Sequence, residues 1–197
     1  MTEKLTLDEI LSTHPKGMDY AHLLEGMESY PIIFDSNNEV LSFPPIINGN
    51  HTTVSHATSD FFIDVTGWDR RACESSLMLI ALQLAERGGQ IESVEVTGYD
   101  GKVEHLPIAH PIEHQVTQRL LDGLLGRNLT DEEISSSINR MGGEYLGRMP
   151  ATEFTSTTVT KMSDVVEGDS ILTFAMPRWR FDILHPVDLV EDVAIGH

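Results

Sequence analysis

The apolar residues of this chain come in short runs, and a chain breaker closes each one. Tyr30-Pro31-Ile32-Ile33-Phe34-Asp35 ends at the turn-forming Ser36-Asn37-Asn38, and Glu39 to Phe43 ends at Pro44-Pro45. Phe61 to Thr66 ends at Gly67, and Asp100-Gly101 separates Ile91–Val96 from Val103–Leu106. Runs this short, bounded by Gly, Pro, Asn and Asp, predict strands joined by turns. Asp-Gly between two apolar runs is a hairpin signal. None of the runs approaches the roughly 20 apolar residues that a membrane-crossing helix needs. Strict alternation in Phe61–Thr66 puts Phe61, Ile63 and Val65 on one face, and Phe62, Asp64 and Thr66 on the other.

Helices are announced by their caps. Residues 5–11 and 19–27 read as short helices, and Thr6 with Glu9 forms a capping box. His14-Pro15-Lys16-Gly17 is expected to break the chain between them. Asp69 caps a helix over about residues 70–87, with Leu77, Ile80, Ala81 and Leu84 on one stripe and Gly88-Gly89 as the stop. Past a boundary near Pro107–Pro111, Thr117–Leu125 reads as a helix. Thr130 and Glu133 form a second capping box, opening a helix to about Met141 that Gly142-Gly143 closes. Phe154–Lys161 and Ser170–Met176 read as strands, which makes a winged-helix-like arrangement. Pro186 opens a final helix to about Ile195. The expected class is α+β. A mixed α/β unit over 1–108 precedes a small winged-helix-like domain over 109–181, and 182–197 begins a further helix.

Of 197 residues, 40% are apolar, enough for a packed core. The single cysteine, Cys73, cannot form an internal disulfide, which fits a reducing compartment, and it falls in the helix as a small core residue. Charges in MTEKLTLDEILS stand where a secretory signal needs an apolar stretch, so a cytoplasmic location is expected. The net charge is −18, with Lys4, Lys16, Lys102 and Lys161 the only lysines. Such a field repels nucleic acid and acidic lipid, and it suits a salty cytoplasm where charge is screened. Across 111–181, Arg119, Arg127, Arg140 and Arg148 are offset by Asp122, Asp131, Glu132, Glu133 and Glu144. The basic stripe of a DNA-binding winged helix is missing, so neither DNA nor membrane is expected as a partner.

Two groups of side chains could carry chemistry. Asp64 and Thr66 lie about 7 Å apart on one face of a strand, and Ser42 lies on a neighbouring one. They could offer a ligand buried polar partners, or simply face water. Asp182, Asp188, Glu191 and Asp192 are spaced so that the last three share a helical face. An all-oxygen set suits Mg²⁺ better than a transition metal, and the alternative is a solvated acidic face. No nucleophile constellation is visible.

Two longer stretches carry a resemblance. One is Ser42-Phe43-Pro44-Pro45-Ile46-Ile47-Asn48 followed by Phe62-Ile63-Asp64-Val65-Thr66-Gly67. The other is Trp179-Arg180-Phe181-Asp182-Ile183-Leu184-His185 followed by Asp188-Leu189-Val190-Glu191-Asp192-Val193-Ala194-Ile195-Gly196. In order and spacing, from Leu7 to His197, they resemble the β subunit of phenylalanyl-tRNA synthetase in its archaeal and eukaryotic form. The resemblance implies a heterodimeric or tetrameric ligase whose α subunit joins phenylalanine to tRNA using ATP. Its β subunit hydrolyses wrongly attached tyrosine. It implies that this chain is a piece of that β subunit: the C-terminal part of the editing domain, then the adjoining small domain. By the same resemblance, Ile33, Ser42, Asp64 and Thr66 are editing-pocket positions. Asp182, Asp188, Glu191 and Asp192 are positions that bind Mg²⁺ together with a carboxylate of the α subunit. The implied partners are the α subunit and tRNA. Two other readings compete with this one: a scaffold for the α subunit without an editing role, and a nucleic-acid-binding regulator acting through the winged-helix-like domain.

Overall fold

The computed structural model describes residues 4–153 and 165–197. The strand expected at Phe154–Lys161 lies outside the described residues. The chain divides into two compact units, Met1–Trp68 and Asp69–His197. Both mix helix and sheet, as the sequence predicts.

The first unit opens with α1 (Leu7–Thr13), where Thr6 and Glu9 complete the capping box. His14-Pro15-Lys16-Gly17 does not simply break the chain; it starts α2 (Pro15–Tyr20). Proline is preorganised for the first helical position, and the His14 side chain accepts the Lys16 N–H. A 3₁₀ turn, Ala21–Leu24, follows. The sheet is small: β1 (Ile33–Phe34), β2 (Val40–Phe43) and β3 (Ile47–Asn48), antiparallel in that order. Leu24, Phe43 and Ile46 form its core, with Leu7, Ile10, Leu11, Ile32 and Ile47 packed around them. Phe61–Thr66 is not a strand. It is extended and its alternation survives in part, with Ile63 and Val65 less exposed than their neighbours, but it belongs to no ladder among the described residues. Alternation specifies two faces; a strand also needs a paired edge, and Phe61–Thr66 joins neither β1 nor β3, the two edges of this sheet.

The second unit begins with α3 (Arg70–Ala85), capped by Asp69. Its buried stripe is Ser75, Met78 and Ala81, whereas Ile80 is exposed. Polar anchors set this rotation. Arg71 donates to the carbonyls of Phe181 (2.7 Å) and Ile183 (2.8 Å), and Ser75 donates to that of Arg178 (3.0 Å). These bonds tie α3 to the segment 178–183, and they explain why the division falls at residue 68 rather than near 108. The hairpin forms as expected from β4 (Val94–Thr97) and β5 (Val103–Leu106), around Asp100-Gly101.

The remaining elements build one core. β6 (Ile112–Thr117) leads into α4 (Gln118–Leu125) and α5 (Asp131–Arg140). They are followed by β7 (Glu144–Pro150), β8 (Ser170–Met176) and α6 (Pro186–Gly196). The antiparallel sheet runs β6–β8–β7, so the central strand is the last to be made. Val116, Leu121, Ile134, Ile138, Phe174, Ile183, Leu189 and Val193 are completely buried between sheet and helices. Residues 182–197 contribute Ile183, Leu189, Val190 and Val193 to this core.

Candidate functional site

The first unit holds a hollow of about 530 Å³. Its apolar wall is the β2–β3 turn, Pro44, Pro45, Ile46 and Ile47, and its rim includes Asn48, Asn50, Thr52 and Lys16. Ser42, Asp64 and Thr66 all line it, so residues some twenty positions apart in sequence share one cavity. Ser42 is buried on β2, while Asp64 and Thr66 reach the hollow from the extended segment and stay exposed to solvent. Ile33 sits opposite Ser42 in the β1–β2 ladder and does not line the hollow. Partial removal from water raises the Asp64 carboxyl above the usual aspartate range. A few polar groups in a mostly preformed cavity of this size suit a small-molecule moiety.

Around α6 the structure brings two of the four acidic residues, Asp182 and Asp192, onto one partner, Arg180. Its Nε and Nη2 donate to Asp182 at 2.9 and 2.8 Å, and its Nη2 to Asp192 at 2.8 and 3.0 Å. Its Nη1 donates to the Met141 carbonyl at 3.2 Å. The Arg180 guanidinium holds the Asp182 carboxyl below the usual range, against a smaller opposing effect of burial. Asp188 is committed to its own helix end, where one carboxylate oxygen accepts the Leu184 and His185 N–H groups at 2.7 and 2.6 Å. Glu191 is exposed and has no partner among the described residues. As arranged, three of the four carboxylates are already satisfied, and the set does not offer Mg²⁺ a converging group of free oxygens.

A trio that the sequence did not single out is Asp35, Glu39 and His51, whose ligand atoms lie within 4.8 Å of one another. Asp35 is engaged in its turn, accepting the Asn37 and Glu39 N–H groups, and Glu39 is well exposed. The spacing carried no signal because His51 arrives from beyond β3.

Over residues 115–197 the chain matches the tRNA synthetase B5 domain, which is the β6–α6 core described above. The class is thus that of an aminoacyl-tRNA synthetase component. Over 196 residues, the whole of this chain, it is 44% identical to the phenylalanine–tRNA ligase β subunit of Methanococcoides burtonii, of which it covers 33%. It is 42% identical to the Archaeoglobus fulgidus β subunit, covering 98% of this chain and 31% of that one. The crystal structure of an N-terminal fragment of the phenylalanyl-tRNA synthetase β subunit from Pyrococcus horikoshii superposes with a TM-score of 0.77 at 35% identity. That match covers 99% of this chain and 50% of the fragment. The chain belongs with the archaeal-type phenylalanine–tRNA ligase β subunits, and it spans about a third of the length of the curated relatives it matches.

Proposed function

We propose that this chain works as part of the β subunit of a phenylalanine–tRNA ligase, in the cytoplasm, and that its first unit contributes the pocket that removes tyrosine from mischarged tRNA. The observation that carries the reading is the meeting of Ser42, Asp64 and Thr66 in one hollow against the apolar Pro44–Ile47 wall. A synthetic site shaped for phenylalanine is apolar and rejects an added hydroxyl poorly. A second pocket can demand that hydroxyl. The Asp64 carboxylate accepts the phenol O–H, with Thr66 and Ser42 as further hydrogen-bonding groups. Phenylalanine would leave these groups desolvated and unpaired, which costs about 1–3 kcal/mol per group. The aromatic ring would rest on the proline-rich wall. No acid–base or nucleophile constellation lies in the hollow, so hydrolysis would rest on positioning the ester beside a water.

The second unit, in this reading, supports assembly with the α subunit, which binds ATP and charges tRNA with phenylalanine; a tetrameric assembly and the use of Mg²⁺ belong to the same reading. No step is assigned to Mg²⁺ at the α6 carboxylates, since Arg180 and the helix end hold three of them. A scaffold without an editing role needs no such cavity, so the concave site favours editing over that reading. The test is the β subunit from this source assembled with its α subunit. Asp64→Ala should leave phenylalanine charging intact and slow tyrosyl-tRNA hydrolysis at least about tenfold. Unchanged tyrosine clearance would remove the pocket assignment.

A further inference from the structure

We infer that Arg180 is the resident cation of the acidic set at α6, and that a divalent ion can share Asp182 and Asp192 only where the guanidinium gives them up. Four observations carry this. The arginine reaches both carboxylates at once: Nε and Nη2 fork onto Asp182 at 2.8–3.1 Å, and Nη2 alone donates to both oxygens of Asp192 at 2.8 and 3.0 Å. Its side chain is only 12% exposed and that of Asp192 only 6%, so the pair is sheltered from water and from screening. Its remaining nitrogen is fixed by the Met141 carbonyl at the end of α5, which anchors the guanidinium from the opposite side. The other two acids of the set cannot substitute: Asp188 is spent on the N–H groups of Leu184 and His185, and Glu191 faces solvent.

The physical consequence is a competition. The buried Asp192 and the exposed Asp182, with one guanidinium between them, are charge-compensated to within a single unit, and a doubly charged ion added to them would face the arginine at contact range. If the arginine is removed, two unpaired carboxylates remain beside each other, one of them buried. That state is costly, and it is relieved by a hard oxygen-seeking cation. Divalent binding at this place is therefore coupled to movement of the Trp179–Asp182 segment. The inference does not rest on the editing reading, which concerns the other unit.

The test uses this chain, with Mn²⁺ as the probe and free Mn²⁺ read by electron paramagnetic resonance. The native chain should bind Mn²⁺ weakly at this set. Arg180→Met keeps a long apolar stem and removes the charge; it should bind one Mn²⁺ at least about tenfold more tightly. Adding Asp192→Asn should abolish that gain, which separates this set from the Asp35–Glu39–His51 trio. Arg180→Lys keeps a point charge without the fork and should fall between. If Arg180→Met is unfolded alone, millimolar Mn²⁺ should restore its cooperative melting, and failure to restore it counts against the inference. A folded Arg180→Met chain that binds Mn²⁺ no better than the native chain would overturn it. So would a gain that survives Asp192→Asn.

Discussion

His114 and Asp64 respond to burial in opposite directions. His114 lies in β6 opposite Phe174, is 3% exposed, and its Nδ1 finds no hydrogen-bond partner among the described residues. Burial, and secondarily the positive charge of Arg71, push its pKa down to about 4. The unfolded chain takes up this proton near pH 6.5 and the folded chain only near pH 4. Stability is therefore complete above pH 6.5 and is lost as the pH falls through that window, by at most about 3 kcal/mol. Urea midpoints measured at pH 7 and pH 4.5 should show the loss, and His114→Leu should flatten it. An equal slope in the variant would assign the effect elsewhere. Asp64 has the opposite sign. Its raised pKa means the folded state disfavours the carboxylate, a small penalty that sets in as the pH rises above the ordinary aspartate value. Asp64→Asn should raise the melting temperature of this chain at pH 7, but not below pH 3.5, while weakening tyrosine clearance in the assembled enzyme. A melting temperature unchanged at both would mean that Asp64 is fully hydrated. Neither property is written in the local sequence. His114 sits in a polar stretch, Glu113-His114-Gln115, whose burial only the pairing with β8 reveals.

Among the elements, those set by short-range chemistry were legible and those set by a partner were not. Both Thr-x-x-Glu boxes, the Asp69 cap, the Asp100-Gly101 turn and the glycine stops appear where the sequence puts them. Each depends on groups within about four residues. Phe61–Thr66 has the pattern of a strand but no edge to join, while β6 lacks the pattern and is buried by β8 and α6. The expected stripe of α3 is inward at Ala81 and half-buried at Leu77 and Leu84 but outward at Ile80, a rotation set by Arg71 and Ser75, which find carbonyls more than a hundred residues away. For the site, the pairing of Asp64 with Thr66 was readable from alternation, and their meeting with Ser42 came from the resemblance. The fork of Arg180 was invisible, since in sequence its charge could pair with Asp169, Asp182, Asp188, Glu191 or Asp192. A related long-range demand falls on Gly196, at the end of α6. A methyl group there would run into the Ser137 carbonyl of α5, and Arg140 already donates to the Gly196 carbonyl at 2.9 Å. Gly196→Ala should force the two helices apart and cost about 1–3 kcal/mol, read as a lower urea midpoint. Gly123→Ala, on α4 with open space around it, should be neutral or slightly stabilising.

At the scale of the whole chain, charge acts in two ways that salt separates. There are 31 acidic and 13 basic residues, so most carboxylates have no cation to pair with. Where pairs form on the surface, such as Arg70 with Glu104 or Arg127 with Glu133, they are exposed and contribute little. Screening weakens those few attractions, but it also weakens a repulsion summed over the entire surface of a chain at −18. The Debye length falls from about 10 Å at 0.1 M salt to about 3 Å at 1 M. Arg180 with Asp192 is sheltered and should barely respond. The balance favours the compact state, so the melting temperature should climb steadily from low to molar KCl. Exposed apolar groups, including Trp68 at 80% and Phe62 at 67%, offer a rival cause, since excluded salts also strengthen apolar burial. The two causes part at matched ionic strength below about 0.3 M, where screening is already strong and ion exclusion is not. Chloride and sulfate should then raise the melting temperature equally. A rise seen only with sulfate, or only above 1 M, would assign the effect to apolar burial and leave the acidic surface without a role in stability.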